Sequence, residues 1–117
     1  MHQPRIWEAL WAEASQRRAA GWERLPLIRG CDADPQAIRA ARANAARAGL
    51  EGVIQFAPGA FAQVGPQGPA GLVVANPPYG ERLGQERELA QLYLQLGQVL
   101  KERFGGWQAA LFTGNTE

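Results

Sequence analysis

At 117 residues the chain has room for one domain with its own core, at the small end of the range for an open α/β fold. Hydrophobic residues make up 46% and charged residues 20%, with no low-complexity run, which excludes a disordered tail and fits a globular protein. A formal net charge of +1 gives no broad electrostatic footprint for nucleic acid, and a single cysteine with a single histidine excludes an internal disulfide and a structural zinc site.

No stretch approaches the roughly 18 consecutive apolar residues of a membrane span, and the first residues (Met1, His2, Gln3, Pro4, Arg5) lack the apolar core of a secretory signal. No membrane partner and no metal are expected, and the expected location is cytoplasmic. Eleven of the twelve basic residues are arginine, a bias that genomic base composition explains at least as well as phosphate contacts do.

In chain order, residues 5–20 read as a helix, with Ile6, Leu10 and Ala14 on one stripe beside Trp7 and Trp11, ended by Gly21. Leu27, Ile28, Gly30 and Cys31 form a short strand that closes on Asp32. Asp34-Pro35 then starts a helix, with the aspartate as N-cap and the proline at the first helical position. That helix runs to about Ala48, burying Ile38, Ala41, Ala45 and Ala48 and turning Arg39, Arg42 and Arg47 outward, with Gly49 at its end.

Residues 53–56 read as a strand, and the glycine- and proline-rich stretch 58–71 as a loop around one short turn. Leu72, Val73, Val74 and Ala75 are apolar on both faces, the pattern of a central parallel strand, and Asn76-Pro77-Pro78 stops it at once. A helix from Glu86 to Arg103 carries Leu89, Leu92, Leu96, Val99 and Leu100 on one stripe, with acid at its start and Lys101 and Arg103 at its end. Residues 107–113 read as another buried strand, and Cys31, Trp22 and the other tryptophans as packing residues. The alternation of strands and helices predicts an α/β fold with a mostly parallel sheet and helical crossovers, in one domain over residues 1–117.

The stretch from Ala75 to Leu83 (Ala-Asn-Pro-Pro-Tyr-Gly-Glu-Arg-Leu) carries the most chemistry, because it lies beyond the carboxyl end of a strand, where open α/β sheets bind ligands. A conjugated amine is a poor nucleophile, since its lone pair is delocalised. A transferase acting on one must hold it in a dry slot and accept its N–H bonds as the nitrogen turns pyramidal. Asn76 Oδ1 and the Pro77 carbonyl can be those acceptors, Pro77 and Pro78 fix their backbone, and Tyr79 offers a ring on which a flipped-out base can stack. No ionised base is needed when the donor is a sulfonium methyl group, whose positive charge makes transfer favourable. By itself the stretch is equally a proline-rich turn with a packed tyrosine.

Asp32 adds weight, because a carboxylate at the end of a strand and before a helix can accept from both ribose hydroxyls of an adenosyl group. Asp34 already supplies the N-cap, which leaves Asp32 for a ligand. Arg82 beside the slot could touch an RNA phosphate or pair with Glu81 or Glu86.

Three stretches together, Gly-Cys-Asp-Ala-Asp-Pro-Gln-Ala-Ile from Gly30, Ala-Arg-Ala-Asn-Ala from Ala41, and Asn-Pro-Pro-Tyr-Gly-Glu-Arg-Leu from Asn76, resemble the bacterial large-subunit (23S) rRNA guanine-N2 methyltransferases. The likeness extends over nearly the whole chain, including the tryptophan-bearing first helix and Phe104-Gly105-Gly106-Trp107. Asn-Pro-Pro-Tyr is shared with DNA adenine-N6 and protein glutamine methylases, and the extension Gly-Glu-Arg-Leu is what points to rRNA. The resemblance implies a class I, Rossmann-like methyltransferase fold, S-adenosylmethionine as cofactor, a guanine of 23S rRNA as substrate and an RNA-binding THUMP domain as companion. It places Asp32 on the cofactor ribose, Asn76, Pro77, Pro78 and Tyr79 around the guanine amino group, and the loop at Ala60 and Phe61 against the adenine ring.

Two departures from the family pattern stand out. Ala60 occupies the position where relatives carry an aspartate for the adenine amino group, so the Phe61 backbone contact would remain while a carboxylate contact is lost. In addition, nothing before Leu27 can serve as the first strand and glycine-rich loop that pack against the methionine half of the cofactor. In the family's sheet order that strand sits between those ending at Asp32 and Asn76, so both would show unpaired edges. The expectation is a partial catalytic domain from a longer protein, with a truncated, non-catalytic remnant as the rival.

Overall fold

The computed structural model describes residues 3–78 and 86–113. Its elements follow in the order α1 (Pro4–Trp22), β1 (Ile28–Asp32), α2 (Pro35–Arg47), β2 (Ile54–Pro58), a single 3-10 turn (Phe61–Gln63), β3 (Leu72–Ala75), α3 (Glu86–Arg103) and β4 (Gln108–Leu111). Each element expected from the sequence is present, with ends shifted by a few residues. The shift at β2 has a local cause. Gly30 faces Phe56 in the β1–β2 register, and pairing continues to Asp32 opposite Pro58 before the chain turns away.

The strands form two separate parallel pairs, β1 with β2 and β3 with β4. Within each pair a helix makes the crossover, as parallel connections require. Asp34 caps α2 by accepting from the Gln36 amide at 2.8 Å, with Pro35 in the first turn. Acid at the start of α3 (Glu86, Glu88) and base at its end (Lys101, Arg103) complement the helix dipole.

Burial is divided in the same way as the strands. Ile38 and Ala45 of α2 are buried where that helix packs on β1 and β2, while Leu96, Val99 and Phe104 form a second cluster where α3 meets the 3-10 turn. Phe104 stacks on Phe61 at 6.3 Å between centroids and meets Trp107 edge-on at 5.4 Å. Among the described residues these five apolar side chains are the buried core.

Several positions expected to be interior are not. Leu72 is 57% and Val74 70% exposed, β4 is exposed along its length, Ala48 is exposed, and Cys31 and Trp22 lie at the surface. The α1 stripe is open as well, with Trp7 63% and Trp11 65% exposed and no buried residue on the helix. For the strand residues the reason is the size of the sheets. A strand read as central from its two apolar faces is, among the described residues, one of two in its sheet, and two strands cannot cover both faces.

Candidate cofactor and acceptor site

The pairing of β1 with β2 sets the first half of the site. Asp32 ends β1, and its backbone carbonyl accepts from the Gly59 amide at 2.9 Å, so the segment that follows β2 leaves the sheet directly beside it. One carboxylate oxygen, Oδ1, accepts from the Asp34 amide at 2.8 Å, which fixes the side chain in an Asx turn. The other oxygen makes no hydrogen bond among the described residues. Asp32 and Asp34 therefore divide the work as the sequence suggests: Asp34 holds the helix start, and Asp32 stays exposed with an acceptor to spare.

Gly30, two residues earlier on β1, is required by contact. A Cβ there would lie 2.8 Å from two ring carbons of Phe56, so the aromatic ring covers the glycine and any side chain would displace it.

Ala60 and Phe61 enter the 3-10 turn, whose backbone bonds run from the Gln63 amide to the Ala60 carbonyl at 2.9 Å and from the Val64 amide to the Phe61 carbonyl at 3.0 Å. Arg103, at the end of α3, donates from Nη1 to the Ala62 carbonyl at 2.5 Å, with the Val64 carbonyl at 3.5 Å. The loop that composition alone marks as loose is thus pinned by a distant helix. Trp107 pins its far end, donating from Nε1 to the Gly68 carbonyl at 3.0 Å and lying so close over Gly71 that a Cβ would come within 2.5 Å of its ring.

The second half of the site follows β3. The Phe112 amide donates to the Ala75 carbonyl at 2.9 Å, carrying the β3–β4 ladder to the base of Asn76. Asn76 is exposed, Pro77 half-buried and Pro78 exposed, and the Asn76 carboxamide makes no hydrogen bond among the described residues. Tyr79, named from the sequence as the stacking ring, lies outside the described residues, as do Glu81 and Arg82. The structure brings Asp32, Gly59, Ala60 and the 3-10 turn together on one strand pair and sets Asn76, Pro77 and Pro78 at the carboxyl end of a strand of the other.

An open cavity of about 490 Å³ lies elsewhere. Its lining includes Arg18, Trp22, Leu25, Ile28 and Ile54, at the amino ends of β1 and β2 and so away from Asp32. It is a gap under α1, where the Arg18 guanidinium stacks 5.6 Å from the Trp22 ring centre. Among the described residues no group of acidic, histidine or cysteine side chains is gathered to hold a metal ion, and no helix is long and apolar enough to cross a membrane.

With this geometry established, comparison with known proteins becomes specific. The family model described as "RMKL-like, methyltransferase domain" matches residues 1–117. The chain belongs to this family. A relative named ribosomal RNA large subunit methyltransferase K/L, from Syntrophotalea carbinolica, is 49% identical over 99% of this chain, which spans 17% of that relative's length. Among solved structures, a predicted N6-adenine-specific DNA methylase from Listeria monocytogenes superposes with a TM-score of 0.76 and 35% identity, over 93% of this chain and 29% of the other. The structure of SMU.472 complexed with SAH superposes with a TM-score of 0.70 and 30% identity, over 76% of this chain and 23% of the other.

The fold of this RMKL-like domain is α/β, part of the Rossmann-like class I methyltransferase arrangement. Arg103, which holds the 3-10 turn, is a residue that reasoning from sequence passed over. It carried no signal, because its position at a helix end already accounts for a basic residue.

Proposed function

We propose that this chain is part of the catalytic domain of an S-adenosylmethionine-dependent methyltransferase that methylates the exocyclic N2 amino group of a guanine in 23S rRNA. The single observation that carries the reading is Asp32. It is an exposed carboxylate with one oxygen tied into the turn and the other unengaged among the described residues, at the carboxyl end of a parallel strand. In this reading that oxygen accepts from the ribose hydroxyls of the cofactor, and the backbone at Ala60 and Phe61 meets the adenine ring. Asn76, Pro77, Pro78 and Tyr79 hold the acceptor amine. The names of the relatives support rRNA, and the solved neighbour complexed with SAH supports the cofactor.

The acceptor chemistry needs only these groups. Asn76 Oδ1 and the Pro77 carbonyl accept the two N–H bonds, which localises the nitrogen lone pair and orients it for in-line displacement at the methyl carbon. The carbon–sulfur bond breaks as the carbon–nitrogen bond forms, the sulfonium becomes a neutral thioether, and the methylated nitrogen releases its extra proton to water.

The domain proposed here is larger than these 117 residues. Among the described residues the open edges of β1 and β3 each lack a hydrogen-bonding neighbour, and β3 is apolar on both faces although Val74 is 70% exposed. A further parallel strand lies between β1 and β3 in the complete domain, joins the two pairs into one sheet, and brings a glycine-rich loop to the methionine half of the cofactor. A THUMP domain in the same polypeptide binds the rRNA, and the protein works in the cytoplasm.

Calorimetric titration of the 117-residue chain with S-adenosylmethionine, with Asp32→Ala as control, tests the cofactor half. Micromolar binding that the substitution removes supports the Asp32 assignment and shows that the added strand is dispensable for affinity. Binding that appears only when the longer polypeptide is used, and is again lost in Asp32→Ala, supports both parts. Binding untouched by Asp32→Ala overturns the assignment. A second acceptor, the N6 amino group of DNA adenine, is favoured only by the description of the Listeria neighbour. Mass analysis of rRNA and DNA after incubation with the enzyme separates the two.

A further inference from the structure

In the reading of the cofactor site given above, the adenine ring lies against residues 59–63, where the chain presents Gly59, Ala60, Phe61, Ala62 and Gln63. Adenine shows a donor, its 6-amino group, next to ring nitrogens that accept. A selective site must offer an acceptor and a donor side by side. Ala60 offers no side-chain acceptor, and Phe61 and Ala62 offer none either. Gln63 alone in this stretch carries a side chain with both functions.

Its position suits the task. Gly59 is bonded to the Asp32 carbonyl at 2.9 Å, and the Gln63 Oε1 lies 3.8 Å from where a Cβ on Gly59 would stand. The carboxamide therefore folds back from the end of the 3-10 turn toward the strand end that carries Asp32, rather than outward along α3. The side chain is exposed and makes no hydrogen bond among the described residues, so nothing in this part of the protein competes for it. The turn that bears it is held by Arg103 on the Ala62 carbonyl and by the Phe61–Phe104 stack. A carboxamide on a fixed turn can meet an adenine edge with two hydrogen bonds, as glutamine does when it reads adenine in nucleic acid.

We propose that Gln63 is the adenine-reading residue of this protein: Oε1 accepts from the 6-amino group of the cofactor and Nε2 donates to N7, an edge at which hypoxanthine offers two acceptors and no donor. It thereby replaces a carboxylate that Ala60 cannot supply. The inference rests on the cofactor reading of Asp32, and its test keeps the two apart.

The probes are S-adenosylhomocysteine and its 6-deaminated analogue S-inosylhomocysteine, which has a carbonyl where adenine has the amino group. They are titrated calorimetrically into the full polypeptide, as wild type, Gln63→Leu, Gln63→Glu and Asp32→Ala. The expected wild-type preference for the adenosyl ligand is about 10-fold, the worth of one well-placed hydrogen bond. Gln63→Leu brings the two ligands to within about 2-fold by weakening the adenosyl one, while Gln63→Glu, which keeps an acceptor for the amino group, restores the preference. Asp32→Ala weakens both ligands alike and leaves their ratio unchanged. An unaltered ratio in Gln63→Leu, with both ligands weakened in Asp32→Ala, overturns the Gln63 assignment and spares the cofactor site. Equal binding of both ligands by wild type also overturns it. Indifference of both ligands to Asp32→Ala removes the reading on which it stands.

Discussion

Asp32 and Gly30 sit two residues apart and do different things for different physical reasons. Asp32 serves through a charge held in place: its Oδ1 is committed to the Asp34 amide, so the carboxylate meets a ligand already oriented. Asp32→Asn keeps that turn and loses the charge, and is expected to weaken adenosyl ligands by about 10-fold with an unchanged melting temperature; Asp32→Ala weakens them by about 100-fold. Calorimetry and thermal unfolding of the same samples check this. Gly30 serves by absence. Placing a methyl group 2.8 Å from the Phe56 ring forces a shift, and Gly30→Ala is expected to destabilise by about 1–3 kcal/mol in urea unfolding. Adding Phe56→Leu, which clears the methyl, recovers part of that loss if the ring is the cause.

Much of this was legible at the residue scale, because it depends on neighbours in sequence. The Asp34-Pro35 start of α2 and the Asp32 that ends β1 each follow from local backbone rules. What escaped notice depends on contacts across the chain. Arg103 binds a carbonyl 41 positions away, and Trp107 covers Gly71 from 36 positions away, pairings that no local pattern encodes.

Among the elements, the 3-10 turn shows how a segment with the composition of a loop gains order. Its own bonds are two, and the rest of its restraint comes from the end of α3 through Arg103 and Phe104. Arg103→Met is therefore expected to speed hydrogen exchange at the Gln63 and Val64 amides by about 10-fold while leaving the amides of α2 unchanged. Equal acceleration in α2 would show a global loss of stability instead. The periodic stripe of α3 identified its inward face correctly, because a helix that packs on one side writes that side into its sequence. The stripe of α1 identified an apolar face but not its exposure: periodicity tells which side is apolar, and coverage depends on what else is present.

For the whole molecule the decisive quantity is its spread. The radius of gyration is 18.4 Å, against roughly 13 Å for a compact domain of this length. Two two-stranded sheets account for it: the β1–β2 pair is packed on α2, α3 meets chiefly the 3-10 turn, and the side that another strand would cover is open among the described residues. Exposed apolar strand edges promote pairing between molecules. The isolated chain is expected to associate with rising concentration in sedimentation velocity, and Val74→Lys to suppress that association while changing stability by less than about 0.5 kcal/mol, since the side chain is already 70% exposed. Association unaffected by Val74→Lys would place the contact on the α1 tryptophans.

The two clamps on the segment between β2 and β3 leave a short free span between them. Arg103 fixes the chain up to Val64, and Trp107 takes hold again at Gly68. Residues 65–67 thus join two anchored points and support neither. Lengthening that span changes only the entropy of closing it, about 0.6 kcal/mol for each doubling. It offers an insertion point where a reporter peptide or a whole guest domain can be spliced in without disturbing Phe61 on one side or Leu72 on the other.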